Sequence, residues 1–219
     1  MKKPDFQEEK KSLADYWQRS MIVTDKKLIK AFMDVPREFF VDDNYTSLAY
    51  RDEPLPIGHG QTISQPTTIM IMTQQLGVKL GQKILEIGTG SGYQAALLGK
   101  IVGSKGKIIT TEIIPELAVR ARENLVNADI KNVIVVQSDG SMGYSEQAPY
   151  DGIIVTAACP AIPKPLIEQL KEGGIIIAPV GNLDYGQEML KVIKGRKNII
   201  THRLGSFTFV PLKGKHGFK

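Results

Sequence analysis

Five short aliphatic runs recur through residues 83–181 of this 219-residue chain: KILEIG, GKIITTEI, NVIVVQSDG, YDGIIVTAA and GGIIIAPVG. Each is nearly continuous instead of alternating with polar residues. A strand of that kind has to be covered on both faces, as in a parallel sheet between layers of helices. The segments between the runs suit those layers. SGYQAALLGKIV, PELAVRARENLVNAD and KPLIEQLKEG have helical patterns, with Pro115 in a first-turn position and Asn127 near the end of its helix. Each helix-containing crossover is long enough for a right-handed strand–helix–strand unit. The expected fold is α/β, a doubly wound and mostly parallel sheet with helices on both faces.

The two ends depart from this rhythm. Residues 1–80 read mostly as helix. KSLADYWQRSMI has helix-like apolar spacing, DKKLIKAFMDV opens with Asp25 as N-cap and stops at Pro36, and QPTTIMIMTQQLGV ends at Gly77. DEPLPIGHGQTISQP reads as a loop punctuated by Pro and Gly. At the other end, EMLKVIKG and ITHRLGSFTFVPL are strands separated by RKN, a turn that permits only antiparallel pairing. The expectation is N-terminal helices and a lid loop over 1–80 and a core over 81–219 closing in an antiparallel strand pair, all in one integrated domain.

Composition narrows the class. The chain is 42% hydrophobic and 23% charged, an ordinary globular mixture, and it has no run of eighteen apolar residues, so no membrane partner is expected. MKKPDFQEEKKSLADYW lacks an apolar stretch after its lysines, so a signal peptide is not expected. The single Cys159 excludes an internal disulfide framework and suits a reducing compartment. A soluble, cytoplasmic monomer is the expectation. The net charge of +5 is uneven, with eight Lys and Arg and no acid from Lys191 onward. These cations are interleaved with glycine and aliphatic residues instead of stacking aromatics, which favours a solvated face over a nucleic-acid partner.

The stretch KILEIGTGSGYQAALL carries the chemistry. Gly88, Gly90 and Gly92, with Thr89 and Ser91 between them, follow a strand and open a helix. A dinucleotide site wants G-x-G-x-x-G with a pyrophosphate on the helix N-terminus. Here the third glycine comes one residue early, and Glu86 stands just before the loop. A carboxylate there repels phosphate and attracts a ligand bearing an ammonium. S-adenosyl-L-methionine is such a ligand, with NAD the competing reading. Glu112, closing the second strand, can accept two ribose hydroxyls, and Asp139 after the third can reach an adenine amino group. Three acids thus stand at the carboxyl ends of three successive strands, where open α/β sheets bind ligands.

Upstream, GHGQTISQP offers small residues, the hydroxyls of Thr62 and Ser64, and a helix opened by Pro66 whose free amides favour an anion. A carboxylate substrate is the natural guest. IGHGQTISQP, ILEIGTGSGYQAA, SDG, YDGIIVTAACPAIPKPLIEQLKEGGIIIAPVG and FTFVPLKGKHGF, in this order and preceded by VPREFFV, resemble the protein-L-isoaspartate O-methyltransferase family over about residues 35–219. The glycine loop is shared by most methyltransferases; the G-Q-T-I-S element is specific to this one.

The resemblance implies a Rossmann-like methyltransferase sheet. It also implies methyl transfer from S-adenosylmethionine to the free α-carboxyl of L-isoaspartyl residues in damaged proteins and peptides. The ester then cyclises to a succinimide, whose hydrolysis returns some normal aspartate. On this pattern Ser64 is the site serine, and Gln61, Thr62, Ile63 and Ser64 wrap the cofactor with Glu86, the 88–92 loop and Glu112. Asp139 and Gly140 hold the adenine side, and Ile57 and Val210 lie along the substrate channel. A capping serine ahead of Pro66 is the rival role for Ser64.

Rival functions are a methyltransferase acting on RNA or another small carboxylate, and an adenosylmethionine-binding regulator. TAACP after the fourth strand lacks the Pro-Pro-aromatic grip of amino-group methylators, and aromatics are only 7%, few for stacking a flipped base. His59, His202 and His216 have no metal-ligand spacing, so no metal is expected. Cys159 reads as a small buried residue, Tyr93 as packing, and Trp17 as core or interface.

Overall fold

The computed structural model describes residues 6–219. Two helices, α1 (Gln7–Arg19) and α2 (Lys26–Asp34), lead into short 3₁₀ turns and then a small hairpin, β1 (Leu55–Gly58) with β2 (Gln61–Ile63). After α3 (Pro66–Leu76) the alternation begins: β3 (Lys83–Ile87), α4 (Tyr93–Val102), β4 (Lys107–Glu112), α5 (Pro115–Asn127), β5 (Val133–Gln137) and β6 (Tyr150–Val155). A short α6 (Lys164–Gln169), a long β7 (Leu170–Asn182), β8 (Gly186–Lys194) and β9 (Ile199–Phe207) complete the chain.

The seven-stranded sheet has the order β5-β4-β3-β6-β7-β8-β9. The first five strands in that order run parallel, whereas β8 and β9 are antiparallel to their neighbours. Successive residues of one strand enter opposite cores, as the two-residue period of a strand requires. Ile84, Ile108, Ile154 and Ile177 join one cluster, while Leu85, Ile109, Ile153 and Ile176 join the other. That is why the runs are aliphatic without alternation. The first cluster also takes in Trp17, Leu28, Phe32 and Met70, so the N-terminal helices cover one face of the same sheet.

Several local signals act as expected. The Asp25 carboxylate accepts the amides of Lys27 and Leu28, Pro66 and Pro115 occupy first-turn positions, and Gly77 ends α3 with φ of 67°. Trp17 is fully buried, its Nε1 donating to Thr67 Oγ1 at 2.7 Å.

Three details differ from the sequence reading. The loop ahead of α3 contains a hairpin, because His59 and Gly60 both take positive φ (54° and 69°), the requirement of a two-residue primed turn. The expected helix KPLIEQLKEG stops at Gln169, and Leu170 already pairs with Tyr150 in the sheet. Lys194 Nζ, arriving from β8, donates to the carbonyls of Ile167 (2.7 Å), Glu168 (3.3 Å) and Leu170 (2.6 Å), and so closes that helix from outside. The terminal antiparallel pair is also longer than expected: β8 begins at Gly186 and forms a second hairpin with β7.

Candidate active site

The carboxyl ends of β3, β4 and β6 open into a crevice roofed by the β1–β2 hairpin and by the segment after β9. Gln61, Thr62, Gly88, Gly90, Glu112, Gly140 and Val210 all line it. A second pocket continues inward past Thr62, Ile63, Ser64, Glu86, Thr89 and Ser91. A third is lined by Thr62, Ser64, Thr68, Thr156, Thr208, Phe209 and Val210. Thr62 and Thr156 stand in the walls of all three, so the pockets are parts of one site.

The glycine loop is shaped by backbone that only glycine adopts freely. Gly88 has φ of 93°, and a Cβ there would lie 2.7 Å from Thr156 Oγ1. Gly92 caps α4 in the left-handed conformation. Glu112 braces the loop: Oε2 accepts the Gly90 amide (2.8 Å) and Oε1 the Ile114 amide (3.0 Å). Those bonds fix its carboxylate at the crevice wall.

Glu86 is fully buried, and neither of its oxygens has a hydrogen-bond partner. Burial pushes its carboxyl up to about 8; the neighbouring Thr110 hydroxyl, engaged with Thr89 Oγ1 at 2.7 Å and not in hydrogen-bonding geometry with Glu86, opposes this, and the Glu112 charge adds to it. Beside it in the inner pocket, Tyr93 Oη and Gln94 Oε1 are likewise buried and unpartnered. Unsatisfied acceptors around one small pocket are what a bound cation would satisfy, so the residues present suit an ammonium-bearing cofactor.

Not every expected residue reaches the crevice. Asp139 does not line it; its Oδ1 accepts the Ser141 amide (2.9 Å) and its Oδ2 the Lys215 amide (2.8 Å). Against partial burial, the Lys215 and Ser141 bonds hold its carboxyl below the ordinary range. It fastens the C-terminal segment over the site, while Gly140 beside it meets the crevice. Ile57 is buried against Gly90, and its carbonyl accepts from Arg120 Nη1 at 3.2 Å. Ser64 does not cap α3, whose N-cap is Gln65. Nor are that helix's amides all free. Asp52 accepts the Thr67 amide (2.9 Å) and the Thr67 hydroxyl (2.6 Å), so the protein supplies its own anion there.

Sequence reasoning passed over Thr156, Thr208, Phe209 and Arg37. Thr156 follows β6 directly, and the strand-end rule that selected Glu112 would have selected it too. Its hydroxyl donates to Gly88 O at 2.6 Å and holds the glycine loop from the other side. Cys159 is buried and contacts only structure: Sγ lies 3.3 Å from Pro179 O, and burial pushes the thiol up to about 12. His59 is an exposed turn residue. Among the described residues no group of three or more His, Cys, Asp or Glu is arranged to hold a metal ion.

The sequence model of the family described as protein-L-isoaspartate(D-aspartate) O-methyltransferase matches residues 8–217. The chain belongs to that family. A protein-L-isoaspartate O-methyltransferase of Archaeoglobus fulgidus is 48% identical over 216 residues, covering 98% of this chain and 97% of the relative. One from Pyrococcus horikoshii is 47% identical, covering 96% and 99%. Among solved structures, a protein-L-isoaspartate O-methyltransferase superposes with a TM-score of 0.86 at 30% identity, over 95% of this chain and 67% of that one. A Plasmodium falciparum structure of the same description, in complex with S-adenosyl-L-homocysteine, gives 0.82 at 27% identity, over 93% and 97%. Family membership makes the chain a methyltransferase with S-adenosylmethionine as its methyl donor. No helix among the described residues is long and apolar enough to cross a membrane.

Proposed function

We propose that this chain methylates the free α-carboxyl of L-isoaspartyl residues in proteins and peptides, with the cofactor in the acid-lined part of the crevice and the carboxylate among the hydroxyls beside it. When bound, S-adenosylmethionine supplies a methyl group activated by a cationic sulfur. Glu86 provides negative charge for the cofactor's ammonium in the inner pocket. Glu112, already braced by two amides, keeps lone pairs for ribose hydroxyls. Gln61, Thr62 and Ile63 cover the cofactor from the hairpin, and Thr89, Ser91 and Gly140 complete its walls. Asp139 acts from behind, by fastening the segment that carries Lys213 across the opening.

The substrate needs little activation. A carboxylate with a reference pKa near ~4 is ionised at neutral pH, so no general base is required. Ser64 orients it by hydrogen bond, with Thr62, Thr156 and Thr208 in the same wall, and Val210 supplies the apolar side. Positioning of the attacking oxygen then accounts for most of the acceleration. The observation that carries this reading is the shared wall: an acidic pocket and a hydroxyl-rich pocket meet at Thr62 and Thr156. The methyl ester later cyclises to a succinimide without further help from the protein.

Incubation with methyl-labelled S-adenosylmethionine and peptide pairs that differ only in aspartyl or isoaspartyl linkage tests the assignment. Base-labile label is expected on the isoaspartyl peptide alone. Equal labelling of both peptides, or label confined to RNA, overturns it.

A further inference from the structure

Arg37 has no place in the reaction as described, yet it is one of the largest side chains buried without any exposure. Its Nε donates to Ala49 O at 2.7 Å and its Nη2 to Ser64 O at 2.8 Å. The guanidinium lies over the Tyr93 ring, 4.9 Å from the centroid. Its backbone amide donates to the Tyr50 hydroxyl at 2.9 Å. Among the described residues no carboxylate forms an ion pair with it, and Nη1 has no hydrogen-bond partner.

A buried cation of this kind is a poor choice for stability alone. Its desolvation is not repaid by a facing carboxylate, and an apolar side chain of similar volume would avoid the cost. Burial does lower the guanidinium, to about 10, with Tyr93, Tyr50 and Asp52 acting in the opposite direction, so it keeps its charge at neutral pH.

What the charge holds is specific. Ser64, whose carbonyl it grips, lines both the inner pocket and the hydroxyl-rich pocket. Tyr93, on which it lies, is the first residue of α4, directly after the glycine loop. Ala49 belongs to the segment leading to the hairpin. One planar group therefore ties lid, loop and N-terminal region together, using a fork and a flat face that lysine lacks.

We infer that Arg37 is a positioning residue for methyl transfer: it clamps the Ser64 main chain against Tyr93, so that the Ser64 hydroxyl meets the substrate carboxylate. This rests on the role given to Ser64 above. Because the clamp acts on the Ser64 carbonyl, Ser64→Ala leaves the clamp in place and removes what it positions.

A double-mutant cycle between Arg37→Lys and Ser64→Ala tests the coupling. Arg37→Lys should lower kcat for an isoaspartyl peptide by about tenfold or more while leaving the Kd for S-adenosylhomocysteine within about twofold. In the Ser64→Ala background the same change should have no further effect on kcat. Tyr93→Leu, which removes the ring face and keeps the cation, should act in the same direction beyond any effect of Tyr93→Phe, which removes only the hydroxyl in the inner pocket, and that excess should vanish in the same background; the pair decides the matter if Arg37→Lys does not fold. Additive losses with Ser64→Ala, or lowered stability with kcat unchanged in the folded fraction, overturn the inference. A wild-type protein that fails to label isoaspartyl peptide would instead overturn the functional reading.

Discussion

Glu86 is the residue at which the site's charge logic is most exposed. Its folded pKa is raised from 4.5 to about 8 by burial. Between those values the folded chain holds a proton that the unfolded chain releases. The resulting stability is fully present below about 4.5 and is lost as pH rises through about 8. A ligand ammonium beside the carboxylate offsets the cost of ionising it. Glu86→Gln without ligand should therefore lose less stability than the wild type between about pH 5 and about pH 8.5, and should bind S-adenosylhomocysteine about tenfold more weakly or worse. Thermal melts at the two pH values and titration calorimetry check both halves. A variant with unchanged affinity would separate Glu86 from the ammonium.

At the scale of elements, the site is assembled from strand ends and held by crossing hydrogen bonds. The glycine loop is braced on one side by Glu112 from β4 and on the other by Thr156 after β6. The C-terminal segment is fastened by Asp139 and by Ser141 Oγ, which accepts the His216 amide at 3.0 Å. Helix α6 shows the same dependence on a distant partner. Its last carbonyls are satisfied by the Lys194 ammonium instead of by a glycine cap of its own. Lys194→Met keeps the stem and removes the charge, and should cost about 1 kcal/mol, a charged hydrogen-bond partner having been taken from carbonyls that are only partly buried. Urea denaturation measures it.

At the scale of the molecule, the N-terminal helices and the sheet share one apolar cluster running from Trp17 and Phe32 to Ile84 and Ile177. Covering a sheet face is not optional for those helices or for the strands beneath them. The expected consequence is a single unfolding transition. Trp17 is the only tryptophan, so its fluorescence reports the helical region while far-UV circular dichroism reports the whole. The two midpoints should coincide, and an earlier fluorescence transition would mean that residues 1–80 unfold as a separate unit.

Much of this was legible in the sequence because the causes are local. Strands covered on both faces need continuous aliphatic runs, a backbone with positive φ needs glycine, and strand ends of a parallel sheet collect ligand-binding acids. Hence the sheet, the glycine bend over 88–92 and the placing of Glu86 and Glu112 at the carboxyl ends of β3 and β4 could be read directly. What the sequence left open depends on residues far apart along the chain. Arg37 meets Ser64 across 27 positions and Asp139 meets Lys215 across 76. Asp52 takes an amide of α3 from 15 positions away. Local pattern is blind to such pairings, since each side chain has ordinary surroundings in its own segment. Only the packing of helices on the sheet decides which polar groups are buried together, and buried polar groups must find partners or a ligand.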